Sequence, residues 1–254
     1  MLRSLSIVTF LVACEEAEPE VTSSEAAEEI TDVDDIPTPS EQVEESESDD
    51  TDAPEEDTTP APVTIDYRFS DAESLLYVQV FKDTTAAASA MAHNHVMRAS
   101  NWTGSVSYNI DDIDECTMAF SLPVADLQVD ETPMREYVGY GDSISDGDRE
   151  LIREHMLADN QLNASSYPSI SFDGTSCRLE NDTLIVTGDM TIAGSTKSMD
   201  LDISFTPTNE QFYMSGVIDF THSDFNITPY SAFWGAVRNS EPLKISFDMV
   251  GSAI

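Results

Sequence analysis

Two of the four histidines, in His93-Asn94-His95, stand at the spacing that puts both side chains on one face of a strand. Such a pair could give two imidazole ligands to a transition metal. Two ligands do not complete a site, and nothing in the sequence brings His155 or His222 to them. The alternative is hydrogen bonding, within the fold or to the headgroup of a ligand. The tripeptide is no nuclease signature, which would need a different surrounding motif and a basic surface. There is no G-x-S-x-G elbow, Gly-rich phosphate loop, H-E-x-x-H or paired C-x-x-C. With 49 Asp and Glu against 11 Lys and Arg, close pairs of carboxylates are expected by chance. Catalysis is therefore not expected.

The three cysteines divide by context. Cys14 ends Leu11-Val12-Ala13-Cys14, which has the L-x-[AGS]-C form of a lipobox. Small residues precede the cut, and a thiol accepts a diacylglyceryl group. Before it lie Arg3 and an apolar run from Leu5 to Ala13, about half the roughly 20 residues a membrane-spanning helix needs. Residues 1–13 accordingly read as a lipoprotein signal peptide. From Glu15 to Pro62 there are 20 Asp or Glu and no Lys or Arg, with Pro, Ser and Thr filling most of the rest. Such a stretch buries too little apolar surface to offset its ordering entropy, so 14–62 is expected to be a lipidated cysteine followed by a disordered, extended acidic linker. Cys116 and Cys177 remain. An even pair in an oxidising compartment points to a disulfide, with two separate buried thiols as the alternative, because spacing alone does not make residues meet.

Residues 63–254 are enough for one domain with its own core. They hold 29 of the acidic and 10 of the basic residues, a balance that repels phosphate backbones and excludes nucleic acid as a partner. Their pattern is one of short runs at a period of two, the mark of strands with one buried face. Cys116, Met118, Phe120 and Leu122 alternate with Thr117, Ala119 and Ser121. Similar alternation runs through 199–205, 212–220 and 243–249, and further strands are expected at 65–70, 75–81, 102–110, 169–175 and 183–192. Roughly nine such strands argue for an antiparallel sheet curled on itself. One helix is expected over Ser145 to Asn160, capped by Ser145 or Asp146, with Leu151, Ile152, His155 and Met156 near one face and covering a side or mouth of the barrel. Val138-Gly-Tyr-Gly-Asp142 before it reads as a flexible loop.

Four segments, in order, resemble the YceI-like family of exported lipocalin-like proteins. They are His93-Asn94-His95 leading to Trp102-Thr103-Gly104, Tyr167-Pro168-Ser169-Ile170-Ser171-Phe172, Leu184 to Lys197 with its Thr-Gly-Asp-Met-Thr-Ile-Ala-Gly-Ser-Thr core, and Asp219-Phe-Thr-His-Ser-Asp-Phe-Asn226. Two positions depart from the family pattern. Asn226 stands where Gly is usual, although Asn tolerates a left-handed backbone better than most residues, and His222 stands where Arg is common.

The resemblance implies an all-β, lipocalin-like antiparallel barrel of about eight strands with one helix over 63–254, enclosing an apolar tunnel for a long isoprenoid such as a polyprenyl lipid or a quinone tail. Met and Phe suit such a lining, since thioethers adapt to varied shapes. The candidate liners are Met118, Phe120, Phe172, Met190, Phe205, Met214, Phe220, Phe225, Phe233 and Trp234, with His93 and His95 as polar contacts. The expectation is a non-enzymatic lipid binder with no cofactor beyond its isoprenoid, tethered to a membrane through Cys14. It would be exported, and Glu15 after the lipidated cysteine favours the periplasmic face of the outer membrane. Homodimerisation is left open. The alternative function is a periplasmic metal-binding or stress-protective protein built on the His-x-His pair.

Overall fold

Alternation at a period of two gives each strand one face that avoids water, and a sheet can bury that face by closing on itself. The computed structural model describes residues 63–109 and 111–254. The signal segment, Cys14, the acidic linker and Ile110 lie outside the described residues. The strands are β1 (Thr64–Phe69), β2 (Leu75–Lys82), β3 (His95–Arg98), β4 (Thr103–Asn109), β5 (Thr117–Pro123) and β6 (Gln128–Val129). Two helices follow, α1 (Thr132–Tyr137) and α2 (Asp146–Leu157). The chain continues through β7 (Ser169–Glu180), β8 (Thr183–Ile192), β9 (Ser195–Pro207), β10 (Gln211–Thr221), β11 (Ser231–Ala232) and β12 (Val237–Ala253).

Antiparallel pairing runs β1-β4-β5-β7-β8-β9-β10-β12, and the end of β12 pairs back onto β1. The result is a closed eight-stranded barrel of the all-β, lipocalin-like class that the sequence led us to expect. Along one edge β12 pairs with β10 from Pro242 to Ser252. Its other edge takes β1 at Gly251–Ala253 and β2 from Asn239 to Asp248. Beyond β1 the wall therefore forks: β2 passes to β3, and β3 to β6. Helix α2 packs beside β6, where Arg153 Nη2 donates to the Ala125 carbonyl at 2.8 Å.

One end of the barrel is filled by rings. Phe212 lies 5.3 Å from Tyr67, 5.6 Å from Tyr108 and 5.8 Å from Phe205 between ring centroids. The Tyr67 hydroxyl, otherwise stranded in this apolar layer, donates to the Thr208 carbonyl at 2.6 Å. Near the same end Cys116, just before β5, is disulfide-bonded to Cys177 on β7, with the two Cα atoms 5.7 Å apart.

Several elements differ from the sequence reading. Strand β12 starts six residues earlier than expected because Pro242, which reads as a strand break, sits at a register shift between Asn239 and Leu243. The strands β3, β6 and β11 and the helix α1 are too short to carry a period of their own. The 138–142 loop is not free. Tyr140 N donates to the Arg135 carbonyl at 2.8 Å, and Gln79 Nε2 donates to the Tyr140 hydroxyl at 3.0 Å. Helix α2 begins as expected, with Ser145 Oγ accepting from Asp148 N at 3.2 Å, but Leu151 faces solvent rather than the barrel.

The disulfide closes a separation of 61 residues. Cys116→Ser/Cys177→Ser is expected to lower unfolding stability by about 2–4 kcal/mol. Urea denaturation of the oxidised chain and of the double variant checks this.

Candidate functional site

Inside the barrel, between the ring layer and the end covered by α2, lies an apolar cavity of about 260 Å³. Its walls come from nearly every strand because the inward residues of neighbouring strands share one register. Phe172 stands opposite Phe120 and Met190, and Val80 opposite Leu243, which in turn pairs with Phe220. Six methionines contribute, namely Met97, Met118, Met156, Met190, Met214 and Met249. Among the described residues, no Asp, Glu, Lys or Arg lines the cavity. The volume falls just short of the roughly 300–1,000 Å³ usual for ligand pockets. A long chain would enter by displacing these unbranched side chains, which thioethers permit at low cost.

Polar lining groups gather at the end opposite the rings. His95 opens β3, Asn239 and Tyr230 belong to the β11–β12 region, His155 and Gln161 lie on and after α2, and His222 follows β10. The His155 and Tyr230 rings stack at 4.9 Å. His222 donates from Nδ1 to the Glu241 carbonyl at 3.0 Å, leaving Nε2 without a hydrogen-bond partner among the described residues. Half-exposed side chains at this end mark the mouth, and the ring layer marks the floor.

The sequence candidates fall into three groups. Met118, Phe120, Phe172, Met190, Met214, Phe220, Phe225 and His95 meet around the cavity. Phe205 does not line it, being part of the ring layer beneath. Phe233 and Trp234 do not line it either: both point into solvent from the tip between β11 and β12. A run of apolar residues does not reveal which face a tight turn presents.

The two histidines of His-Asn-His do not converge. His93 precedes β3, is half-exposed and pairs through Nδ1 with Asp142. His95 donates from Nδ1 to Asp130 Oδ2 at 2.6 Å, so its Nε2 is the nitrogen left toward the cavity. Among the described residues no group of three or more His, Cys, Asp or Glu is placed to hold a metal ion.

Beneath His95 lies a network that the sequence did not announce. Asp130 is fully buried, and its Oδ1 accepts from Val96 N at 3.0 Å and from Arg135 Nη1 at 2.7 Å. Arg135, 2% exposed, also donates to the Asn94 carbonyl at 2.9 Å and to the Asp142 carbonyl at 3.1 Å, and it pairs with the Asp142 carboxylate. Its guanidinium lies 5.3 Å from the Tyr140 ring centre. Every buried polar atom here has a partner, the condition under which a buried charge pair is tolerated. No local pattern signals the pairing, since Asp130 and Arg135 are separated by the turn into α1.

Burial pushes the Asp130 carboxyl up, but the bonds from His95, Val96 and Arg135 outweigh it and hold the group below the ordinary carboxylate range. A carboxylate depressed in the folded state contributes stability that is fully present above its unfolded value, about 4, and is lost as pH falls through the lower folded value. Asp130→Asn is therefore expected to flatten the acid limb of the stability–pH curve. At pH 7 it should cost about 2–3 kcal/mol, because the buried Arg135 loses one of its two carboxylate partners and keeps only the half-exposed Asp142. Urea melts of wild type and variant between pH 2.5 and 7 check both.

One solved structure shares this architecture. The crystal structure of BcnA from Burkholderia cenocepacia superposes with a TM-score of 0.53 at 15% identity, covering 72% of this chain and 98% of that one. A YCEI protein of Campylobacter jejuni gives a TM-score of 0.43 at 14% identity, covering 61% and 83% respectively. No curated protein matches the sequence. The model of the YceI-like domain matches residues 67–250, and with that match over a closed eight-stranded barrel, the chain belongs to the YceI-like family.

Proposed function

We propose that this protein is a binding protein that holds a long-chain isoprenoid, a polyprenyl lipid or the tail of a quinone, inside its barrel. The observation that carries the reading is the polarity gradient of the cavity. Its depth is lined by Met, Phe, Leu and Ile, while imidazole, amide and phenol groups gather at one end. An apolar chain gains about 25 cal/mol for each Å² of its surface withdrawn from water, so no covalent or ionic anchor is required. With no Lys or Arg among the described lining residues, a neutral quinone or alcohol suits the mouth better than a diphosphate.

The same proposal includes export and attachment. Cys14 would carry the lipid that fixes the chain beside a bilayer, on the periplasmic face of the outer membrane, and residues 15–62 would give it reach. The diacylglyceryl modification supplies more than one acyl chain, which stable anchoring requires.

Native mass spectrometry with organic extraction, on the full chain purified from a bacterial envelope, is expected to find about one isoprenoid per barrel. An empty protein would overturn the reading. Ile218 lines the cavity from β10. Ile218→Trp should lower ligand occupancy several-fold by filling the lumen, with far-UV circular dichroism unchanged.

A further inference from the structure

Phe233 and Trp234 occupy the tip of the β11–β12 turn with φ angles of 52° and 55°, followed by Gly235 at 88°. Left-handed backbone is uncommon for bulky side chains, and its persistence at two consecutive aromatic residues points to a use for their position. Phe233 is 67% exposed, and Trp234 projects wholly into solvent. The tip is joined to a second apolar segment by a bond from Ala88 N to the Ala236 carbonyl at 2.8 Å, and that segment presents Met91, also exposed. Residues 84–92 and 225–237 contain no Asp, Glu, Lys or Arg, although the domain carries roughly one charge in every five residues. The platform is bounded at its base by the ion pair of Arg238 Nε with Asp83 Oδ2 at 2.6 Å. It stands at the cavity mouth, since Tyr230 and Asn239, joined by a 2.9 Å backbone bond at the root of the same turn, both line the cavity.

We infer that this charge-free platform docks the mouth of the barrel onto a zwitterionic lipid bilayer, with Phe233 and Trp234 entering the interfacial region. Aromatic rings favour that depth. The tip offers three large apolar side chains amid alanines, far less than the roughly 800 Å² per partner of a stable protein interface. The acidic excess elsewhere on the domain resists anionic surfaces, so the contact is selective for uncharged ones. The choice of a bilayer as occupant rests on the proposed lipid cargo, because an isoprenoid leaves and enters such a barrel through a membrane.

The chain has two tryptophans. Trp102 is 4% exposed in the core, so Trp234 is the environment-sensitive reporter. The full chain carrying Cys14→Ser, which removes any lipid from that position, would be mixed with phosphatidylcholine vesicles containing brominated acyl chains. The expected result is a blue-shifted and quenched emission, weaker when phosphatidylglycerol replaces phosphatidylcholine. Adding Phe233→Ser/Trp234→Ser should weaken vesicle co-sedimentation by at least about tenfold, with circular dichroism unchanged. An emission that stays red and unquenched overturns the inference, as does a blue shift that appears without vesicles and tracks protein concentration, which would put a second copy on the platform. Docking by a chain that carries no isoprenoid would sink the cargo reading and leave the docking surface standing. A loaded barrel whose Trp234 remains in water would do the reverse.

Discussion

Closure of the barrel depends on one strand being long enough to serve two edges. With 17 residues, β12 reaches about 55 Å, enough to pair with β10 on one side while dividing its other side between β1 and β2. Closing the ring removes the free edges that an eight-stranded sheet would otherwise expose. It also forces all inward residues into one lumen. Where β12 meets β1 the lumen is narrow enough for four rings to fill it. Where it meets β2 the wall forks, α2 covers the opening, and room remains for a ligand.

Polarity within that lumen follows from which backbone segments end there. Strand ends and turns bring carbonyls and amides that need partners, so the side chains nearest them are those able to hydrogen-bond. His222 satisfies the Glu241 carbonyl and His95 engages the buried Asp130, so each imidazole is oriented by one nitrogen while the other remains available. Further down, the strands pair backbone to backbone in the ladders, and little that is polar is required of the inward side chains.

The segments that carry the family resemblance supply both liners, such as Phe172, Met190, Phe220 and Phe225, and the contacts that fasten those segments to one another. Gly194, at a φ of 76°, lies against the Tyr167 ring, where any Cβ would collide, so the 166–172 and 184–197 segments meet at one turn. Asp224 bonds Thr221 N at 2.8 Å and pairs with Lys197, while Asn226 Nδ2 donates to Ser195 Oγ at 3.1 Å. Asn226 takes the left-handed conformation, with φ 57°, at the position where the family commonly has Gly. A Cβ at Gly104 would stand 3.1 Å from the Phe69 ring and 3.4 Å from that of Trp102, so the glycine lets both rings lie close over the sheet. These contacts hold the lip and wall of the barrel in place around the liners.

The amino-acid sequence by itself determined the alternating strands and the α2 helix with its Ser145 cap. These depend on periodicity and local capping, which act over a few residues. It did not determine the strand through Pro242, whose break in pattern is absorbed as a register shift only because β2 and β10 hold both flanks. Nor did it separate Phe172, which faces the cavity, from Phe205 in the floor or Trp234 on the outer tip, since all three are aromatic residues within apolar runs. The Asp130–Arg135 pair and the parting of His93 from His95 were also decided by tertiary structure. A buried charge is tolerable only where several distant elements converge to satisfy it, and such convergence leaves no trace in local spacing.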